Sequence, residues 1–158
     1  MKLSGIALVT VAALFTLLMR AEAHHSFSQF DQSTQKVISG TVARWDFNNP
    51  HVWLHIDVDN EDGSTSLWSF EGQGIMRLLP KNINGTTMVP GDPVTLLYCP
   101  LRDGRNGGAL AWIRLDKNER FINPSDGGCR IQDEQIEQWK GWLEQGYMSN
   151  LEVEAAEG

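Results

Sequence analysis

The stretch "VISGTVARWDFNNPHVWLHIDV" (residues 37–58) contains two predicted β-strands separated by a turn. The first half is rich in β-branched and aromatic residues, which favour strands, and "NNP" at 48–50 is typical of a turn. From residue 51 onward, apolar and polar residues alternate strictly, so a half-buried strand is predicted. The apolar face has Val52, Leu54, Ile56 and Val58, and the opposite face has His51, Trp53, His55 and Asp57. We expect Gly40 to lie at a bulge or a sharp coil of the first strand.

Three more strands and a short helix are predicted after this pair. The segments are a strand at 66–72, a helix at 74–81 that Pro80 helps to end, and strands at 94–101 and 109–116. The loop at 59–64 is rich in Asp, Asn and Gly and is typical of a hairpin. A three-strand meander, a short helix and a two-strand hairpin predict a mainly β fold, a small OB-like five-stranded barrel. Closure of the barrel would remove exposed strand edges. A small β-sandwich is the alternative.

The region after residue 120 has a different composition. Residues 131–146 place Ile136, Trp139 and Leu143 at helical spacing, which predicts an amphipathic helix packed on the barrel. Gly146 can cap its end. The predicted organisation is therefore a barrel domain at 24–120 and a C-terminal extension at 121–158 with one helix.

The N-terminal segment has the pattern of a secretory signal peptide. An uncharged apolar run spans 6–19 and "AEA" follows at 21–23, the small-x-small pattern that signal peptidase accepts. The run is shorter than the ~20 apolar residues of a spanning helix, which argues against the alternative of an uncleaved membrane anchor. We therefore expect residues 1–23 to be a signal peptide cleaved after Ala23, and the protein to be periplasmic or secreted, with no integral membrane segment.

Charge and length narrow the possible partners. Removal of the first 23 of 158 residues leaves 135, a normal single-domain length. It also removes Lys2, Arg20 and Glu22, so the net charge changes from −7 to −8. Nucleic-acid binding relies on clustered Lys and Arg, and the sequence has no basic stripe. We therefore expect no nucleic-acid partner.

Cys99 and Cys129 are the two cysteines of the chain. In an oxidising compartment, a cysteine pair in one small domain favours a disulfide, which chain entropy would make worth about 3–4 kcal/mol. Two free thiols, or metal ligation, are the alternatives.

Several short motifs occur in a fixed order along the chain. They are "AHHSF" (23–27), "GTVARWDFNNPHVW" (40–53), "WSFEG" (68–72), "VPGD" (89–92) and "PLRDGR" (100–105). In these motifs the chain resembles a family of small exported bacterial proteins that is catalogued as a domain of unknown function. The resemblance covers roughly residues 23–116, and it implies export and a compact β-domain but no activity.

The four histidines all lie in two short stretches, as His24, His25, His51 and His55. Cleavage after Ala23 would give His24 a free α-amino group beside its imidazole, which is the chelating arrangement of a copper histidine brace. Imidazole suits copper and zinc, and divalent affinity peaks at copper. We therefore expect a metal site, copper first and zinc second, at these histidines.

The geometry of a strand limits how many histidines join one ion. His51 and His55 are four residues apart, so their Cα atoms are ~13 Å apart on an extended strand. Donors must each lie ~2 Å from the metal, so His24 is expected to pair with His51 or with His55, and Trp45, Glu71 and Asp57 could lie around the ion. The alternatives are structural: a solvated terminus, a turn role for His51, and packing of His55 against tryptophan.

Six tryptophans suggest a different function. OB-type barrels bind oligomers by stacking on aromatic residues of the second and third strands. Trp53 and Trp68 are in these strands, and with Glu71 they form a predicted ligand face for a partner protein or envelope polymer. A core role for the tryptophans is the alternative. No spacing singles out a catalytic pair such as Asp57 and Glu71, so we expect a binding or accessory protein rather than an enzyme.

Overall fold

The computed structural model describes residues 26–148 as six strands and two α-helices, with single 3₁₀ turns at Ser26–Gln29 and Leu79–Lys81. The strands are β1 (Lys36–Asp46), β2 (Trp53–Asp59), β3 (Thr65–Glu71), β4 (Pro93–Pro100), β5 (Gly107–Leu115) and β6 (Arg120–Ile122), and the helices are α1 (Ile75–Leu78) and α2 (Asp133–Glu144). None of the helices between residues 26 and 148 has the length and apolar character needed to cross a bilayer.

Five of the strands close into a barrel. The sheet order is β3-β2-β1-β4-β5-β6, and β3 also pairs with β5, which closes the ring. The closing pair is parallel, with Ser69 opposite Gly107 and Glu71 opposite Ala109, whereas the neighbouring pairs are antiparallel. The predicted mainly β barrel, with a short helix between the third and fourth strands and a C-terminal helix, is therefore confirmed. β6 was not predicted, and it extends the sheet two residues beyond the expected barrel boundary at residue 120.

β1 is shared between two neighbours, and Gly40 lies where it changes partner. Residues up to Thr41 pair with β4, and residues from Thr41 onward pair with β2. The register shift lies between Val42 and Arg44, so the bulge expected at Gly40 is found two to three residues later. Gly40 instead allows β1 and β2 to approach each other closely, because a Cβ atom at this position would lie 2.5 Å from the Asp57 carbonyl oxygen.

Two apolar clusters stabilise the fold. The first fills the barrel with the predicted apolar face of β2 and with Phe70, Leu96 and Ile113. The second lies between the outside of β4 and β5 and the helix α2, where Trp139 is 1% exposed. β4 and β5 are thus buried on both faces, and the predicted packing of the C-terminal helix on the barrel is confirmed.

A disulfide joins the barrel to the segment that precedes α2. Cys99 and Cys129 are bonded with a Cα–Cα distance of 5.1 Å across 30 residues of sequence. The predicted disulfide is confirmed, and it holds the chain that follows β6 against the end of β4.

Candidate metal centre

His51 lies in the turn that precedes β2, at one end of the barrel. The β2–β3 ladder continues past the strand ends, because the Gly72 backbone N–H donates to Val52 and the Val52 N–H donates to Gln73. This pairing sets the His51 ring beside Gly72, and its Nδ1 atom lies 3.0 Å from the Gly72 carbonyl oxygen. The side chain is 31% exposed, so the ring is reachable from solvent.

Glu71 is the last residue of β3 and belongs to the seam that closes the barrel. It lies opposite Trp53 of β2 on one side and Ala109 of β5 on the other. Its side chain is only 7% exposed. Burial raises the pKa of the Glu71 carboxyl above its usual value, the nearby Asp126 raises it further, and His51 acts in the opposite direction.

Asp126 comes from the segment between β6 and α2. This segment is tied to the barrel by the Cys99–Cys129 disulfide and by a hydrogen bond from the Gln73 N–H to the Pro124 carbonyl. Asp126 Oδ1 accepts the Gly128 N–H at 2.8 Å. Its Oδ2 atom is buried and accepts no hydrogen bond from any residue of 26–148, and the Asp126 side chain is 6% exposed.

The three side chains meet around one point. His51 Nδ1 lies 3.1 Å from Glu71 Oε1 and 3.4 Å from Asp126 Oδ2, and the three ligand atoms all lie within 4.8 Å of one another. An imidazole and two carboxylates are typical ligands of divalent transition metals. We call His51, Glu71 and Asp126 the triad.

The triad is short of positive charge. Within residues 26–148, no lysine or arginine forms an ion pair with Glu71 or Asp126, and His51 is the only basic side chain within ion-pair distance of either. Gln29 donates a hydrogen bond from Nε2 to Glu71 Oε2 at 3.4 Å. Burial disfavours the charged forms of the two acids, and either a proton on one carboxylate or a bound cation would offset this cost.

His55 lies outside the triad, and its two ring nitrogens are already engaged. Nδ1 is hydrogen-bonded to Ser69 Oγ at 2.8 Å, and Nε2 lies 3.2 Å from Asp46 Oδ2 and 3.0 Å from an Arg44 guanidinium nitrogen. Of the two strand histidines that the sequence left open, the structure brings His51 and not His55 to the carboxylates. His24 and His25 lie outside the described residues.

The two tryptophans of the predicted ligand face are not brought together. Trp53 is 36% exposed on the outer face of the sheet, where its ring stacks on His55 with centroids 6.4 Å apart. Trp68 lies opposite Ile56, whose side chain is in the core, and packs against Phe70 and Tyr98. Glu71 and Trp53 are cross-strand neighbours on the same face. Trp68 therefore has the core role, and the outer face has Trp53 and Glu71.

Sequence reasoning missed Asp126 and Gln29. Asp126 is 55 residues beyond Glu71 in "NPSDGGCR" (123–130), a stretch that reads as an ordinary turn. Its closeness to Cys129 was the available signal, because a bridge to β4 brings this turn to the barrel. The sequence does not indicate which end of the barrel the turn that contains Asp126 contacts.

The fold and the triad together define a small, disulfide-linked β-barrel protein with a candidate metal centre beside the seam that closes the barrel. The chain belongs to the family of unknown function DUF6152, whose family model matches residues 12–118. No curated protein and no solved structure matches the chain. The predicted resemblance to a family of unknown function is confirmed. Asp126, Cys129 and α2 lie beyond the matched residues.

Proposed function

We propose that this protein binds a divalent metal ion, copper first and zinc second, at the triad, and that His24 of the processed chain supplies further donors. The single observation that carries the proposal is the buried Asp126 Oδ2 atom, which lies 3.4 Å from His51 Nδ1 and accepts no hydrogen bond within residues 26–148.

The spacing of the donors suits a metal ion. Zinc takes nitrogen and oxygen ligands at about 2.0–2.2 Å, so two ligand atoms of a tetrahedral site are about 3.4 Å apart. The His51–Glu71 and His51–Asp126 distances are 3.1 and 3.4 Å. These two distances match the spacing of a tetrahedral site, and the Glu71 and Asp126 ligand atoms, within 4.8 Å of each other, would move closer together around an ion.

The net charge of a metal-bound triad and the tautomer of His51 are also consistent with a bound divalent ion. A divalent cation with two carboxylates and a neutral imidazole makes an electrically neutral group, which lowers the cost of burying the two acids. Coordination through His51 Nδ1 requires the proton to be on Nε2. The contact of Nδ1 with the Gly72 carbonyl would then be replaced by the bond to the metal.

The start of the described chain packs near Asp126, which supports a role for His24. Phe27 contacts Gly128, since a Cβ atom there would be 3.0 Å from Phe27 Cδ1 and 3.0 Å from Asp126 Oδ1. Two residues, His25 and Ser26, separate Phe27 from His24, and three residue steps span at most ~11 Å. We propose that the amine and ring of His24 add two nitrogen donors, which favour copper.

The proposal places the protein outside the cytoplasm as a binding or accessory protein rather than an enzyme. Its support is the signal-like segment 1–23 and the small-x-small motif that would expose His24. The Cys99–Cys129 disulfide is compatible with this, because disulfides persist in oxidising compartments.

The test is isothermal titration of the mature chain, beginning at His24, with Cu²⁺ and with Zn²⁺. We expect D126N and H51Q each to weaken binding at least tenfold, since changes even to groups around metal ligands typically cost 10–100-fold. H55Q is the matched control, because His55 is bonded elsewhere, and its affinity should be unchanged. Circular dichroism establishes that each variant is folded.

A second arm tests the role of His24 separately. A variant with one extra glycine before His24 should bind Cu²⁺ much more weakly, and electron paramagnetic resonance of the Cu²⁺ form should lose nitrogen couplings. Unchanged affinity with the extension would remove His24 from the site. Unchanged affinity in both D126N and H51Q would overturn the triad as the metal site.

A further inference from the structure

A cleft of about 270 Å³ lies on the outer face of the barrel next to the triad. It is lined by Gln29, Phe30, Trp53, Ser69, Leu101, Arg105, Asn106 and Gly108. Two of these residues connect it to the triad, since Gln29 donates to Glu71 and Trp53 is the cross-strand neighbour of Glu71. Because a water molecule occupies about 30 Å³ in the liquid, the cleft has the volume of roughly nine waters, which suits a ligand of about ten non-hydrogen atoms.

One wall of the cleft is aromatic and held in place. Trp53 keeps 36% of its surface exposed, whereas most large apolar side chains of residues 26–148 are buried. Its ring is held by stacking on His55, which is itself bonded to Ser69 and Asp46. Phe30, 1% exposed, also lines the cleft. A rigid aromatic surface of this kind binds planar rings by stacking.

The cleft also has one cationic group. Arg105 bonds through Nε to Asp103 at 2.8 Å, and its terminal nitrogens make no hydrogen bond to any residue of 26–148. The Asp103 contact uses the Nε edge of the guanidinium, and the Arg105 side chain is 71% exposed, so its outer edge stays available to a ligand. Arginine binds carboxylates through two parallel N–H donors. Arg105 is the only lysine or arginine among the residues that line the cleft, in a chain of net charge −7.

We infer that this cleft binds a small aromatic monocarboxylate, with the ring against Trp53 and the carboxylate on Arg105. The apolar wall accommodates the ring, and the outer edge of the Arg105 guanidinium can donate two parallel N–H bonds to one carboxylate. The Asn106 amide and the Ser69 hydroxyl lie on the lining and can complete the hydrogen bonds of the carboxylate. The inference stands on Trp53 and Arg105, and it does not require a metal ion at the triad.

The test uses phenylacetate as the probe and the metal-free mature protein. Binding is followed by ¹⁵N–¹H correlation spectra at the indole N–H of Trp53, which is assigned by its absence in W53F. We expect saturable shifts of this signal in the millimolar range. R105Q should bind at least about tenfold more weakly, because hydrogen bonds to charged groups are the stronger ones. Phenylacetamide, which has no charge, should be weakened similarly.

R102Q is the matched control, since Arg102 is in the same loop but pairs with Asp31 and does not line the cleft. Its affinity for phenylacetate should equal that of the wild type. Equal weakening in R102Q and R105Q, equal binding of the amide, or no shift of the Trp53 indole would each overturn the inference. Because no metal is present in the titration, these outcomes leave the metal proposal to its own experiment.

Discussion

Replacing Glu71 by glutamine should stabilise the metal-free protein while it abolishes tight metal binding. The Glu71 and Asp126 ligand atoms lie within 4.8 Å of each other. At that distance and an effective dielectric constant of about 20, two like charges repel by about 3.5 kcal/mol. The attraction of His51 to Glu71 outweighs this repulsion, and the largest cause of the raised Glu71 pKa is burial of the carboxylate. Because a buried polar group that is not fully compensated costs about 1–3 kcal/mol, we expect E71Q to raise the free energy of unfolding by roughly that amount at pH 7.

The stabilisation should depend on pH in one direction. Burial raises the pKa of Glu71 in the folded protein above its unfolded value, which is near 4.5. The folded state therefore holds this proton more tightly, and the contribution of Glu71 to stability falls as pH rises through and above 4.5. Glutamine does not titrate. The gain in E71Q should consequently be largest at neutral pH and vanish as the pH approaches 4.

The assay is urea unfolding of the chelator-treated wild type and E71Q from pH 4 to pH 8, with E61Q as the control. Glu61 is exposed in the hairpin loop between β2 and β3, so E61Q should match the wild type. The reasoning would be refuted if E71Q were destabilised at pH 7 by more than about 1 kcal/mol, the size of an ordinary hydrogen bond. That result would mean that the carboxylate is needed structurally, as acceptor for Gln29 and His51.

Two further changes test how the segment beyond β6 is held. C99A/C129A opens a bridge across 30 residues, so loop entropy predicts a loss of about 3.6 kcal/mol in the free energy of unfolding. Urea unfolding under oxidising conditions measures this, and a loss below about 1 kcal/mol would contradict it. W139A removes a side chain that is 1% exposed and packs edge-on against Phe121. We expect a loss of about 3–5 kcal/mol by the same method, and a near-neutral result would mean that α2 is not docked.

The barrel was predictable because its signals are local. The alternation at 51–58, the turn residues between strands and the helical spacing of Ile136, Trp139 and Leu143 each reflect contacts along one element. β6 was missed because "RFI" (120–122) is too short to show a period and is a strand only through its pairing with β5. The glycine at position 40 predicts a bulge or a sharp coil, because sequence does not show that its Cα faces the Asp57 carbonyl oxygen of the neighbouring strand.

The candidate site was predictable only in part, because some of its contacts are local in sequence and others join distant segments. The clustering of the histidines is visible in the sequence itself. The face shared by His51, Trp53 and His55 follows from strand periodicity. The choice of His51 over His55 depends on Ser69 and Asp46, which occupy the ring nitrogens of His55.

Side-chain periodicity and composition along each segment predict five of the six strands of residues 26–148, the inward face of residues 52–58 and a disulfide as the favoured state of the two cysteines. The contact of Glu71, at the closing seam, with an aspartate 55 residues later depends instead on how the chain folds. In this barrel, distant segments are joined by strand pairing and by the disulfide. Neither the closing β3–β5 pairing nor the path of residues 123–131 produces a periodic pattern in the sequence.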